Sequence, residues 1–190
     1  MKAVSIYAES TPNPLTLRFV FNFPLLSEEV EYISADSADD CPLAKELLSR
    51  QDIKGVFISS NFITLTRSET ADWFTLMPEM REFLREWFIS GKELFPNGPV
   101  KMREEVRAAE KDADPLSRQI MEILDEYIRP AVEGDGGSIK MKSFDNGVVT
   151  VILKGSCSGC PSASMTLKAG IENLLTRMVP EVREVVAEEL

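Results

Sequence analysis

Residues 91–114 interrupt every hydrophobic pattern around them, and that interruption decides what the chain can fold into. Gly91, Pro96, Asn97, Gly98 and Pro99 crowd turn chemistry into one short stretch. Lys101 to Asp114 (KMREEVRAAEKDAD) then runs dense in charge with little apolar face. A segment with so little apolar face has little burial to offset the entropy of being ordered, so 91–114 reads as a linker. The 190 residues therefore divide into one domain over 1–90 and another over 115–190. Each half is small but above the size at which a domain needs external staples to fold. Strand and helix patterns mix in both, which predicts an α+β protein of two small sandwich-like domains.

In the first half, Ile6 to Glu9 and Thr16 to Phe21 read as strands. They flank Thr11-Pro12-Asn13-Pro14, a connector stiffened by two fixed φ angles. Pro42 to Arg50 reads as a short helix, and Gly55 to Ile58 with Phe62 to Thr66 as a hairpin about Ser59-Ser60-Asn61. Over 71–89, Trp73, Leu76, Met77, Met80, Phe83, Leu84, Trp87 and Phe88 recur at three- and four-residue spacing. That predicts a helix whose stripe, both tryptophans included, covers one face of a small sheet.

The second half is more regular. Asp114 is placed to cap a helix with Pro115 at its first position. Leu116, Ile120, Ile123, Leu124, Tyr127 and Ile128 line one side, and Pro130 is expected to stop the run. Asp135-Gly136-Gly137 reads as a turn that needs positive φ. Ser138 to Phe144 alternates apolar and Lys residues like a half-buried strand with a solvated lysine face. Asp145-Asn146-Gly147 signals a tight hairpin back into Val148 to Lys154. A helix carrying Leu167, Ile171, Leu174, Leu175 and Met178 ends at Val179-Pro180, and Val182 to Ala187 reads as a last strand. The order is α-β-β-CxxC-α-β.

The CxxC is Cys157-Ser158-Gly159-Cys160, set between a strand end and a helix start at Pro161. The chain has three cysteines and no histidine. Without histidine there is no Ser-His-Asp triad, no Cys-His pair and no imidazole-dependent zinc site. A helix N-terminus favours a thiolate through its unpaired N–H groups and dipole. One reading is a thioredoxin-like dithiol–disulfide site, although few residues follow Cys160 to complete that fold. Structural zinc wants four ligands, and Cys41 stands alone in the other half, where a small buried hydrophobe is the simpler reading. An iron–sulfur cluster also wants four thiolates. Two chains would supply them, which predicts a cluster-bridged dimer. The small residues around Cys157 and Cys160 offer no evident core, so both sulfurs are expected to serve metal or redox chemistry. Spacing alone leaves iron and dithiol exchange both open.

Ile128-Arg129-Pro130, Asp135-Gly136-Gly137, the run Gly155-Ser156-Cys157-Ser158-Gly159-Cys160-Pro161-Ser162-Ala163-Ser164-Met165-Thr166-Leu167, Ile171-Glu172 and Val179-Pro180-Glu181-Val182 together resemble the Nfu-type domain found at the C-terminus of NifU. The first half, with Thr11-Pro12-Asn13-Pro14, Pro42-Leu43-Ala44, Gly55-Val56-Phe57 and Asp72-Trp73, is similar to the N-terminal domain of Nfu scaffold proteins. The resemblance implies a carrier rather than an enzyme. Its 4Fe–4S cluster would bridge two subunits through Cys157 and Cys160 and pass to apo-proteins, with an upstream scaffold as donor.

Composition adds the remaining expectations. A formal charge of −10 argues against nucleic acid as main partner, since phosphate binding needs clustered Lys and Arg. No run of eighteen apolar residues is present, so no membrane span is expected. Met1 to Tyr7 lacks the apolar core of a signal peptide and the Arg- and Ser-rich pattern of a transit peptide, which leads to an expectation of the cytoplasm.

Overall fold

The computed structural model describes residues 3–96, 114–158 and 161–189. Residues 97–113, which fall within the expected linker, and the pair Gly159 and Cys160 lie outside the described residues; Leu94, also within the expected linker, is instead buried in the first unit's core. Two compact units are present, Met1–Lys101 and Met102–Leu190, and each is taken by itself.

The first unit is an antiparallel five-stranded sheet in the order β1-β2-β5-β4-β3. Its strands are β1 (Ile6–Ser10), β2 (Thr16–Phe21), β3 (Val30–Tyr32), β4 (Ile53–Ser59) and β5 (Phe62–Arg67). Helix α1 (Pro42–Leu48) precedes β4, and α2 (Trp73–Ile89) follows β5. The stripe on α2 buries Leu76, Met80, Leu84 and Trp87, which join Phe19, Phe21, Ile58 and Leu65 of the sheet in one core. Trp73 packs against that core from its margin. The connector at 11–14 is rigid for a reason beyond its prolines: Asn13 is buried, its Oδ1 accepts from the Leu15 N–H, and its carbonyl accepts from the Thr16 N–H and Oγ1. Strand β3 escapes the sequence reading because its three residues are too few to show a period. Cys41 is fully buried at the start of α1, within the core.

The second unit contains α3 (Pro115–Ile123), a π-helical turn (Leu124–Ile128), α4 (Arg129–Gly134), β6 (Gly137–Asp145), β7 (Val148–Gly155), α5 (Pro161–Met178) and β8 (Glu184–Glu189). The Asp114 carboxylate accepts from the Leu116 and Ser117 N–H groups and the Ser117 hydroxyl. Those three donors hold its carboxyl below the usual carboxylate range. Pro130 does not stop the helix, contrary to expectation. A proline blocks the ordinary helical bond to the carbonyl four residues back. Here the chain slips into π register one residue earlier, with Arg129 N–H donating to the Leu124 carbonyl, and continues to Gly134.

The sheet order is β6-β7-β8. Strands β6 and β7 form an antiparallel hairpin through Asn146 (φ 49°) and Gly147 (φ 83°), both left-handed as a tight turn of this type requires. Strand β8 pairs parallel with β7, a connection that requires a crossover, which α5 supplies. Val149, Val151 and Leu153 alternate into the core against Ile171 and Leu175 of α5. Glu172 on α5 accepts the Val185 N–H at 3.0 Å, tying the crossover helix to the strand it delivers.

Candidate functional site

Strand β7 ends at Gly155, whose φ of +66° turns the chain sharply out of the sheet. The Ser158 N–H and hydroxyl then both donate to the Gly155 carbonyl, at 3.2 and 2.9 Å. This closes a tight turn with Cys157 on it. Opposite lies the loop entering β6, with Gly136 at φ +84°. Register pairs Gly137 with Gly155, so two loops twenty residues apart in sequence meet at one end of the sheet.

Ser156 joins them. Its N–H donates to the Gly136 carbonyl at 3.3 Å and its hydroxyl to the Asp135 carbonyl at 2.6 Å. The same hydroxyl oxygen lies 3.8 Å from Cys157 Sγ. Cys157 itself is 8% exposed and belongs to the second unit's core. That corrects the sequence expectation that the small residues nearby leave it no core. The hollow for its sulfur comes from Gly137: a Cβ there would stand 2.8 Å from Cys157 Sγ and 2.6 Å from the Lys154 carbonyl oxygen. In sequence, the 135–137 stretch reads first as plain turn chemistry and second as a shaper of the loop near the cluster. The missing signal was non-local, because only the β6–β7 register brings Gly137 to the cysteine.

Burial pushes the Cys157 thiol upward. The Asp135 carboxylate adds to the rise. Cys41, in the first unit's core, is also raised, to about 11, chiefly by burial. A soft sulfur donor in a hollow at a strand–helix junction suits a thiolate-loving metal such as iron. Cys160, the other sulfur expected here, lies outside the described residues. Among the described residues no cluster of three Cys, Asp or Glu side chains forms a metal site, and no helix is long and apolar enough to cross a membrane.

Comparison with known proteins covers both units. The family model described as "NifU-like domain" matches residues 120–186. The one described as "Scaffold protein Nfu/NifU N terminal" matches residues 6–91. NifU-like protein 4, mitochondrial, of Arabidopsis thaliana is 37% identical over 97% of the chain and 66% of its own length. NFU1 iron-sulfur cluster scaffold homolog, mitochondrial, of Drosophila willistoni is 36% identical over 97% of the chain and 63% of its own length. NifU-like protein 5, mitochondrial, of Arabidopsis thaliana is 35% identical over 97% and 68%. The chain thus spans about two thirds of the length of these relatives. These relatives are named mitochondrial, which overturns the cytoplasmic expectation. The expectation rested on a targeting pattern missing from Met1 to Tyr7, and such an absence does not specify a compartment.

Proposed function

This chain belongs to the Nfu/NifU scaffold-protein family, and from that premise we propose that it is an iron–sulfur cluster carrier whose ligands are Cys157 and Cys160. The cargo is a 4Fe–4S cluster bridging two subunits. The observation that carries this reading is the shortage of donors. The chain has one CxxC, one Cys41 buried in the first unit's core, and no histidine, whereas such a cluster is generally held by four thiolates. Two protomers meeting at their CxxC turns make up the number.

The division of labour follows the chain. Residues 115–190 hold the cluster, and 1–90 meet the apo-protein clients or the upstream scaffold that loads the carrier. Transfer is thiolate exchange at iron: a client thiolate bonds to an iron as the iron–sulfur bond to Cys157 breaks. The client thiol gives up its proton and the departing Cys157 gains one. A dithiol–disulfide role would instead use a reactive, solvent-reachable sulfur, and Cys157 is buried.

Anaerobic reconstitution of the full chain with iron and sulfide tests the reading. Wild type is expected to take up the cluster and pass it to an apo-protein acceptor. Cys157→Ala and Cys160→Ala are each expected to abolish uptake, whereas Cys41→Ala leaves it intact. Full loading of either CxxC variant would remove the ligand assignment.

A further inference from the structure

The hydroxyl of Ser156 is placed where neither the strand nor the turn requires it. The turn is already closed by Ser158 on the Gly155 carbonyl, and the ladder ends at the Gly137–Gly155 pair. Ser156 is nonetheless buried, at 2% exposure, and its Oγ stands between the Asp135 carbonyl at 2.6 Å and Cys157 Sγ at 3.8 Å. A carbonyl oxygen only accepts, so the hydroxyl proton goes to Asp135. A lone pair of Oγ is then left toward the sulfur, and the Cys157 S–H can donate to it. One side chain thereby fastens the sulfur-bearing turn to the 135–137 loop and offers the sulfur an inward partner. On the far side the missing Cβ of Gly137 leaves the space that the sulfur occupies.

We propose that Ser156 is a positioning residue for Cys157: it holds the sulfur inward, sheltered from solvent-borne reagents, while no cluster is bound. The claim deepens the carrier reading and rests on it for its purpose. A carrier that waits empty among oxidants gains from a ligand whose sulfur is withdrawn until cargo arrives. The geometry of the shelter can be tested without any cluster.

The test uses the full chain with Cys41→Ala and Cys160→Ser, so that Cys157 is the one thiol left. Its rate of reaction is measured with a small and with a bulky maleimide. The ratio of the two rates cancels the thiolate fraction and reports steric access alone. The ligand-free chain is expected to favour the small reagent strongly. Ser156→Ala and Ser156→Val should each reduce that preference about threefold to tenfold, the range for losing one hydrogen bond. Ser156→Thr, which keeps a hydroxyl in nearly the volume of Val, should retain the wild-type preference. The Ala and Val variants guard each other against one failing to fold.

The proposal is overturned if Val and Ala leave the ratio unchanged, or if Thr is as open as Val. It is also overturned if amide exchange at Val151 and Leu153 accelerates in step with the change, because that would mean general loosening of the unit. A wild-type chain that takes up no cluster would sink the carrier reading, yet leave these ratios as they are.

Discussion

Replacing Gly137 by Ala adds one methyl group at a crowded point of the second unit. The new Cβ would lie 2.6 Å from the Lys154 carbonyl oxygen, 2.8 Å from Cys157 Sγ and 3.2 Å from Cys157 Cβ. Unstrained non-bonded atoms of this size sit at about 3.5 Å or more. The sulfur can move, but the carbonyl belongs to the strand paired with β6 and cannot withdraw without opening the ladder. Overpacking of this kind costs about 1–3 kcal/mol, and backbone as the obstacle places this case near the middle, at about 2 kcal/mol. In a domain of this size that is a fall of roughly 8–16 °C in melting temperature. Amide exchange reads the second unit directly, and Val151 and Leu153 should lose roughly thirtyfold in protection. Both tryptophans, Trp73 and Trp87, lie in the first unit, so the fluorescence transition serves as an internal control and should not move. Protection at Val151 and Leu153 within threefold of wild type would refute the reasoning, because the close approach would then be one the chain relieves at no cost.

Gly170, in the middle of α5, makes the opposite case: a Cβ there meets nothing within 4 Å, so Gly170→Ala should stabilise the unit by about 0.5–1 kcal/mol, read by the same exchange measurement. Glu172→Ala removes the acceptor of the Val185 N–H; it should cost about 1 kcal/mol and speed exchange at Val185 before other β8 amides. The Cys41 thiol is raised from 9.0 to about 11, so the folded first unit keeps its proton where the unfolded chain has lost it. That stability is whole below about pH 9 and drains as pH rises toward 11. Tyr32, also raised by burial and by its hydrogen bond to Asp40, extends the loss to higher pH. Denaturation of the first unit, followed by tryptophan fluorescence, should show the decline, and Cys41→Ala should flatten the part between pH 9 and 11.

Local chemistry is what the sequence displays. Asp114-Pro115 and Asp145-Asn146-Gly147 state their conformations within three residues, and the structure has a capped helix and a left-handed turn at those places. The stripe on α2 and the alternation in β7 are equally legible, because each repeats over several turns or pleats. Pro130 misleads because a local rule has a local escape, the π turn that precedes it. The state of Cys157 stays hidden for another reason. Its burial depends on Gly137 and its inward partner on Asp135, and both arrive through strand pairing rather than proximity in the chain. The motif announces which chemistry the turn serves, while the register decides how the sulfur is kept.

Native mass spectrometry of the anaerobically reconstituted full chain tests the carrier account most directly. The account predicts two protomers around one cluster of four irons, with Cys157→Ala leaving only iron-free chains. Saturating iron on a lone protomer, or no iron taken up at all, would contradict it.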